Sequence, residues 1–124
     1  LEHYLRRFIY IKYMRMFVFP SEFIAGGAEF KIRAYLTDWT IEKSPSGTSK
    51  LSRSFEFKTF EDCIRFMGLL TEDIKALDHH PKWTNSYNQL HVALTTWDTG
   101  SVISLKDYKL AYIIDYHFNN FYRS

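Results

Sequence analysis

Lys75-Ala-Leu-Asp-His-His-Pro-Lys-Trp83 is where one kind of backbone has to stop and another begin. The residues before it are spaced as a helix. Pro81 disfavours helical backbone at His80 and pushes that residue towards extended chain. The helix is therefore predicted to end near His79, with a short strand starting around Trp83. Two adjacent imidazoles are left in unlike settings. His79 lies near a helix C-terminus, where the peptide dipole favours a protonated ring, while His80 is swung away on extended backbone. Histidine exchanges protons near neutral pH, so this corner can hold two different proton carriers. The plain alternative is a pair of histidines that only cap the core or meet solvent.

Upstream of the corner, Thr59 opens the helix with a partial capping box, its hydroxyl accepting near Asp62 while Asp62 reaches back. Phe60, Cys63, Ile64, Met67, Ile74 and Leu77 follow helical spacing and read as its core stripe. Downstream, the strand at Trp83 turns near Tyr87-Asn88. Leu90, Val92 and Leu94 then alternate with His91, Ala93, Thr95 and Trp97 along a further strand. Earlier in the chain, residues 28–36 read as a short helix after Gly26-Gly27. Residues 37–43 form a strand with Trp39 and Ile41 on one face, and residues 50–58 a second with Leu51, Phe55 and Phe57 sharing a face. The Ser44-Pro-Ser-Gly-Thr-Ser49 turn joins them. After Gly100, Ser104-x-x-Asp107 starts a C-terminal helix with two apolar stripes: Tyr108, Ala111, Ile114, Phe118 and Phe121 on one, Leu110, Ile113 and His117 on the other. Such a helix is expected to pack against a copy of itself, giving a homo-oligomer. The order is α-β-β-α-β-β-α: an α+β fold, a four-stranded antiparallel sheet with three helices packed on one face.

At 124 residues with 19% aromatics, the chain suits one well-filled domain, read as residues 28–124, after an N-terminal extension of unknown role at residues 1–27. That extension has some features of a basic targeting segment (Arg6, Arg7, Lys12, Arg15) but is poor in serine and has no clean uncharged stretch. A net charge of +2, with cations scattered among acids, does not fit a nucleic-acid binder. No apolar run approaches the roughly 20 residues of a membrane span. The single cysteine, Cys63, falls on the helix stripe and reads as a buried thiol in a reducing compartment, the cytoplasm.

The residues from about 32 to 115 resemble the pterin-4a-carbinolamine dehydratase family. Lys75, His79-His80-Pro81, Tyr87, Trp97 and Asp107 carry the likeness, with support from Phe55-Glu-Phe-Lys-Thr-Phe60, Asp78, Trp83-x-x-x-Tyr87-Asn88 and Leu94-Thr-Thr96. The resemblance implies dehydration of 4a-hydroxytetrahydropterins to quinonoid dihydropterin, with no cofactor, metal or covalent intermediate. It places His79 and His80 in the pterin pocket as catalytic residues. The helix end favours His79 as the acid, with His80 binding the ring or taking the proton, although the roles can be exchanged. Asp78, Pro81, Trp83, Trp97 and Asp107 are the expected substrate-binding residues. Asp107 orients an imidazole or accepts from the pterin's amino and amide edge, unless it only caps its helix.

Three departures accompany the resemblance. Trp97 stands where many members carry a third histidine; indole is a donor only, so it is expected to stack on the pterin or donate one bond, or else to pack in the core. Lys75 replaces a frequent glutamate, so a local ion pair is missing or reversed. The segment from Trp97 to Asp107 is one residue longer than usual. His91 shares the Trp97 face, but six strand residues, about 20 Å, separate them. His3 and His117 have no motif around them and read as incidental. Two other readings compete with the enzyme: a non-catalytic assembly or transcription-coactivator module, and a histidine metal site, for which no Cys, Asp or Glu has suitable spacing.

Overall fold

Two pairs of short alternating segments, each joined by a turn, supply the sheet. A computed structural model describes residues 19–25 and 27–123. Strands β1 (Thr40–Lys43) and β2 (Ser49–Glu56) form one hairpin, and β3 (Lys82–Ser86) and β4 (Gln89–Leu94) the other. Every pairing is antiparallel and the order is β1-β2-β4-β3, so the hairpins join through β2 and β4, with Leu51 opposite Leu94 and Phe55 opposite Leu90. Alternation across the pleat gathers Leu51, Phe55, Leu90, Val92 and Leu94 on one face, where all are buried. That face meets α2 (Ala28–Tyr35), α3 (Phe60–Leu69), α4 (Thr71–Leu77) and α5 (Leu105–Asn120); a single turn, α1 (Glu22–Ala25), precedes them. Helices α3 and α4 are the one predicted middle helix, interrupted at Leu70, so the predicted α+β order stands.

The strands are shorter than read from sequence. β1 begins at Thr40, and Trp39 just before it is buried, donating Nε1–H to Asp115 at 2.8 Å. β4 stops at Leu94, so Trp97 lies beyond the strand in a 3-10 turn, Trp97–Thr99.

The middle-helix stripe also needs correcting. Phe60 and Ile64 are exposed, and Phe66 and Leu70 are buried in their place. Apolar residues surround this helix on two sides, so spacing alone admits two stripes. The one that wins places Phe66 against the rings of Phe57 at 5.0 Å and Phe118 at 6.0 Å. Thr59 caps α3 as predicted, accepting from Asp62 N–H at 3.0 Å. Asp62 does not reach back; its carboxylate accepts from Arg65 at 3.0 Å and from the Tyr122 hydroxyl at 2.8 Å.

Both apolar stripes of α5 are satisfied within one chain. Tyr108, Leu110, Ala111, Ile113 and Ile114 are all buried, so two-sided apolarity no longer argues for a second copy. Part of that cover comes from the stretch read as an extension: Phe23 is buried, and Phe19 and Phe23 lie 5.7 and 5.5 Å from the Tyr112 ring. Residues 1–18, with His3 and the basic residues, lie outside the described residues, as does Gly26. Cys63 is buried as expected; burial pushes its thiol pKa up, while the Asn85 amide donates to Sγ at 3.2 Å.

Candidate active site

The turn after α4 is set by Asp78. Helix α4 ends at Leu77, and Asp78 takes left-handed backbone, φ 48° and ψ 46°. Its N–H donates to Lys75 O at 3.1 Å, and the His79 N–H reaches Ile74 O at 3.3 Å. These are the paired bonds of a Schellman ending, where glycine is usual and aspartate is tolerated. The helix therefore stops before Pro81 can act on it, and the reversal parts the two histidines. His79 turns inward to 8% exposure, while His80 is exposed.

His79 is held by a carboxylate rather than by the helix dipole alone. Its Nε2 lies 2.6 Å from Asp107 Oδ1. Asp107, fully buried in the first turn of α5, accepts on Oδ2 from Thr96 Oγ1 at 2.7 Å and from Ser104 N–H at 2.8 Å. Ser104 Oγ lies 2.5 Å from the Thr96 hydroxyl. Thr96 spends its proton on Asp107, so Ser104 donates to Thr96. With two donors on Oδ2, Asp107 acts as acceptor for His79 Nε2–H, leaving Nδ1 as the ring nitrogen available to a bound molecule. Asp107 thus caps its helix and orients an imidazole at once; the two roles set against each other in sequence coexist.

Both histidines line one cavity of about 390 Å³. Asp78, Pro81 and Trp97 join them there, with Trp97 on the rim at 82% exposure, which excludes the core-packing reading. Trp83 does not line it; it is half-buried against the core. Asp107 lies behind His79 with both oxygens engaged, away from the lining, so accepting from a pterin edge does not fit this arrangement.

The sequence reading missed Lys82, Thr95, Thr96 and Lys106, all on the wall. Lys82 follows Pro81 and adjacency could have flagged it. Thr95 is read in sequence only as a strand residue and within the resemblance, and Thr96 only within the resemblance; no role can be read for Thr96 because its partner Asp107 is 11 positions away.

The other singled-out residues fall elsewhere. Lys75 pairs with Glu72 at 3.7 Å, so the local ion pair is present, drawn from within α4. His91 lies 2.9 Å from Ser54 Oγ on the open sheet face. His117 is not incidental: its Nε2 is 2.8 Å from Asp73 Oδ2, a carboxylate fully buried in α4. Among the described residues, no group of three or more His, Cys, Asp or Glu could hold a metal ion, and no helix is long and apolar enough to cross a membrane.

Comparison with known proteins places this geometry in a context. The profile of the family described as "Pterin 4 alpha carbinolamine dehydratase" matches residues 28–117. A protein of Rhodospirillum rubrum named "Putative pterin-4-alpha-carbinolamine dehydratase" is 45% identical over 78 residues, covering 63% of this chain and 77% of its own length. One of the same name from Mesorhizobium japonicum is 36% identical over 85 residues, 68% of this chain and 83% of its own. The crystal structure of a "transcriptional coactivator/pterin dehydratase" from Brucella melitensis superposes with a TM-score of 0.62 at 32% identity, over 71% of this chain and 88% of that one. The match takes in both hairpins, the histidine corner and Asp107, and on it the chain belongs to the pterin-4-alpha-carbinolamine dehydratase family.

Proposed function

We propose that this protein is a 4a-hydroxytetrahydrobiopterin dehydratase acting in tetrahydrobiopterin recycling by histidine general acid–base catalysis. The observation that carries the reading is that His79 and His80 open into one cavity while a buried carboxylate fixes the first of them. In the reaction the C4a–O bond breaks, the hydroxyl takes a proton and leaves as water, and a ring nitrogen loses a proton to give the quinonoid dihydropterin. One proton is delivered and one removed, so two proton carriers suffice. His79, oriented by Asp107, is assigned the delivery and His80 the removal or the binding of the ring. Trp97, exposed on the rim, offers a flat face for stacking. Catalysis of this kind contributes about a hundred- to ten-thousand-fold.

The test is the decay of a 4a-carbinolamine, followed by ultraviolet absorbance, with and without protein. Acceleration that disappears in both His79→Ala and His80→Ala is expected. Acceleration that survives both substitutions removes the assignment.

A second reading, a non-catalytic binding module, is favoured by exposed Phe60 and Ile64 on one side of α3 and by the coactivator description of the Brucella structure. No acceleration by a folded wild-type protein would select it. The expected homo-oligomer, dimer or tetramer, is checked by light scattering, and a monomeric mass rejects it.

A further inference from the structure

A second cavity of about 480 Å³, larger than the histidine cavity, adjoins it. The two share Thr95, and Lys43, Lys50, Ser44, Thr48 and Ser101 line the far side. The sheet register explains the arrangement. Leu51 pairs with Leu94, so one residue further sets Lys50 opposite Thr95, and Glu42 is opposite Lys50 on the next strand. Leu51 and Leu94 face the core, so by alternation Glu42, Lys50 and Thr95 form a row on the open face. Thr95 is a fixed divide, because its hydroxyl donates to Ser49 O at 2.7 Å.

Charge on the far side is cationic on balance. Lys43 has no carboxylate within ion-pair distance among the described residues. Lys50 meets Glu42 only at 3.9 Å, with both side chains about half exposed, 50% and 47%. Lys43 follows Glu42 on the opposite side of the pleat, so the two lysines line the cavity from either side of the strand end and share it with one carboxylate. Beside them is a loop whose Ser44 and Thr48 hydroxyls lock to each other at 2.6 Å. From Thr95 to Lys50 is one strand spacing, about 4.8 Å, which a substituent of roughly four bonds covers.

We infer that the histidine cavity continues over Thr95 into an anion subsite, in which Lys43 and Lys50 receive a phosphate-type group at the end of a pterin's 6-substituent. This rests on the pterin reading above and adds the class of side chain accepted. Lysine suits such a group as a mobile point charge.

Intrinsic pterin fluorescence provides the test. Two probes are titrated: a pterin whose three-carbon 6-substituent ends in a phosphate monoester, and the same pterin ending in a hydroxyl. The phosphate probe is expected to bind about tenfold more tightly at low salt, and the advantage to shrink as salt rises. Combined Lys43→Gln and Lys50→Gln should remove most of that advantage, Glu42→Gln should enlarge it, and the hydroxyl probe should keep its Kd throughout. All three side chains are exposed at the surface, so the variants are expected to fold normally. Equal binding of the two probes, or an advantage that persists in the double variant, overturns the subsite and leaves the dehydratase reading standing. Failure of wild-type protein to bind even the hydroxyl probe overturns both.

Discussion

Two histidine–aspartate pairs tie the α4 segment to α5, and they are built in opposite order. At the start of α5 the helix supplies the carboxylate, Asp107, and the turn after α4 supplies His79. Further along α5 the helix supplies the histidine, His117, and α4 supplies Asp73. Both carboxylates are fully buried and both contacts are short, 2.6 and 2.8 Å. Ten residues of helix, about 15 Å, separate His117 from Asp107. The pairs differ in what lies beyond the ring. His79 borders a cavity it shares with a second imidazole, and its carboxylate is braced by Thr96 and Ser104. A buried His–Asp contact is thus a fastening wherever it occurs. It becomes a candidate catalytic device only where the free ring nitrogen meets a space that can hold a substrate.

The strongest way to break this comparison is to change both carboxylates alike. Asp107→Asn keeps the shape but can present an amide N–H to His79 and disturb its tautomer, so kcat is expected to fall about a hundredfold or more. Asp73→Asn is expected to lower unfolding stability by about 1–3 kcal/mol, as loss of a buried hydrogen-bond partner does, while kcat per folded molecule holds. Chemical denaturation and carbinolamine dehydration, measured on the same preparations, separate the two. Equal loss of kcat in both variants would mean that the pairs do not differ in role.

Bracing is the next distinction to probe. Thr96→Val removes the hydroxyl that donates to Asp107 and receives from Ser104, leaving Oδ2 with one donor. We expect about a tenfold fall in kcat with KM little changed, plus a stability loss of about 1–3 kcal/mol. Thr96→Ser, which restores the donor, should recover most of kcat. A purely structural threonine would lose stability in Thr96→Val without this split between kcat and KM, and that result would remove the positioning role.

At the rim, Trp97→Ala should leave stability nearly unchanged because the ring is 82% exposed. The expected cost is in KM, roughly three- to tenfold for loss of one stacking face. Trp97→His tests the other half of the idea, since it restores a third proton carrier and should broaden the hydroxyl stereoisomers accepted. Identical isomer preference in wild type and variant would refute it.

The element order and the histidine corner were legible because they rest on local signals: alternation, helical spacing, turn composition and a proline. Asp107 was legible only as a choice between cap and site, because one carboxylate has two oxygens and the fold uses both. The stripe of α3 misled because Phe60 and Ile64 share helical spacing with Cys63 and Met67, and only packing against Phe57 and Phe118 selects the other side. Thr96 stands only in the resemblance and Lys106 carries no local mark at all; their place on the wall comes from the end of β4 and the start of α5 meeting in space. The left-handed Asp78 was hidden by its neighbour, since Pro81 offered a sufficient reason for the helix to end.

That hidden turn gives the smallest predicted effect and a clean separation of geometry from chemistry. Left-handed backbone favours glycine, so Asp78→Gly should keep the reversal that sends His79 inward and His80 out, and stability should rise by about 0.5–1 kcal/mol. If Asp78 serves only as the turn, kcat/KM should stay within about twofold of wild type. Its carboxylate also lines the cavity and was expected to bind substrate. A rise in KM with kcat and stability intact would assign it that contact. Loss of kcat with lowered stability would instead mean that the aspartate side chain, and not the left-handed backbone, holds the corner, and the account of how the two imidazoles are parted would fall.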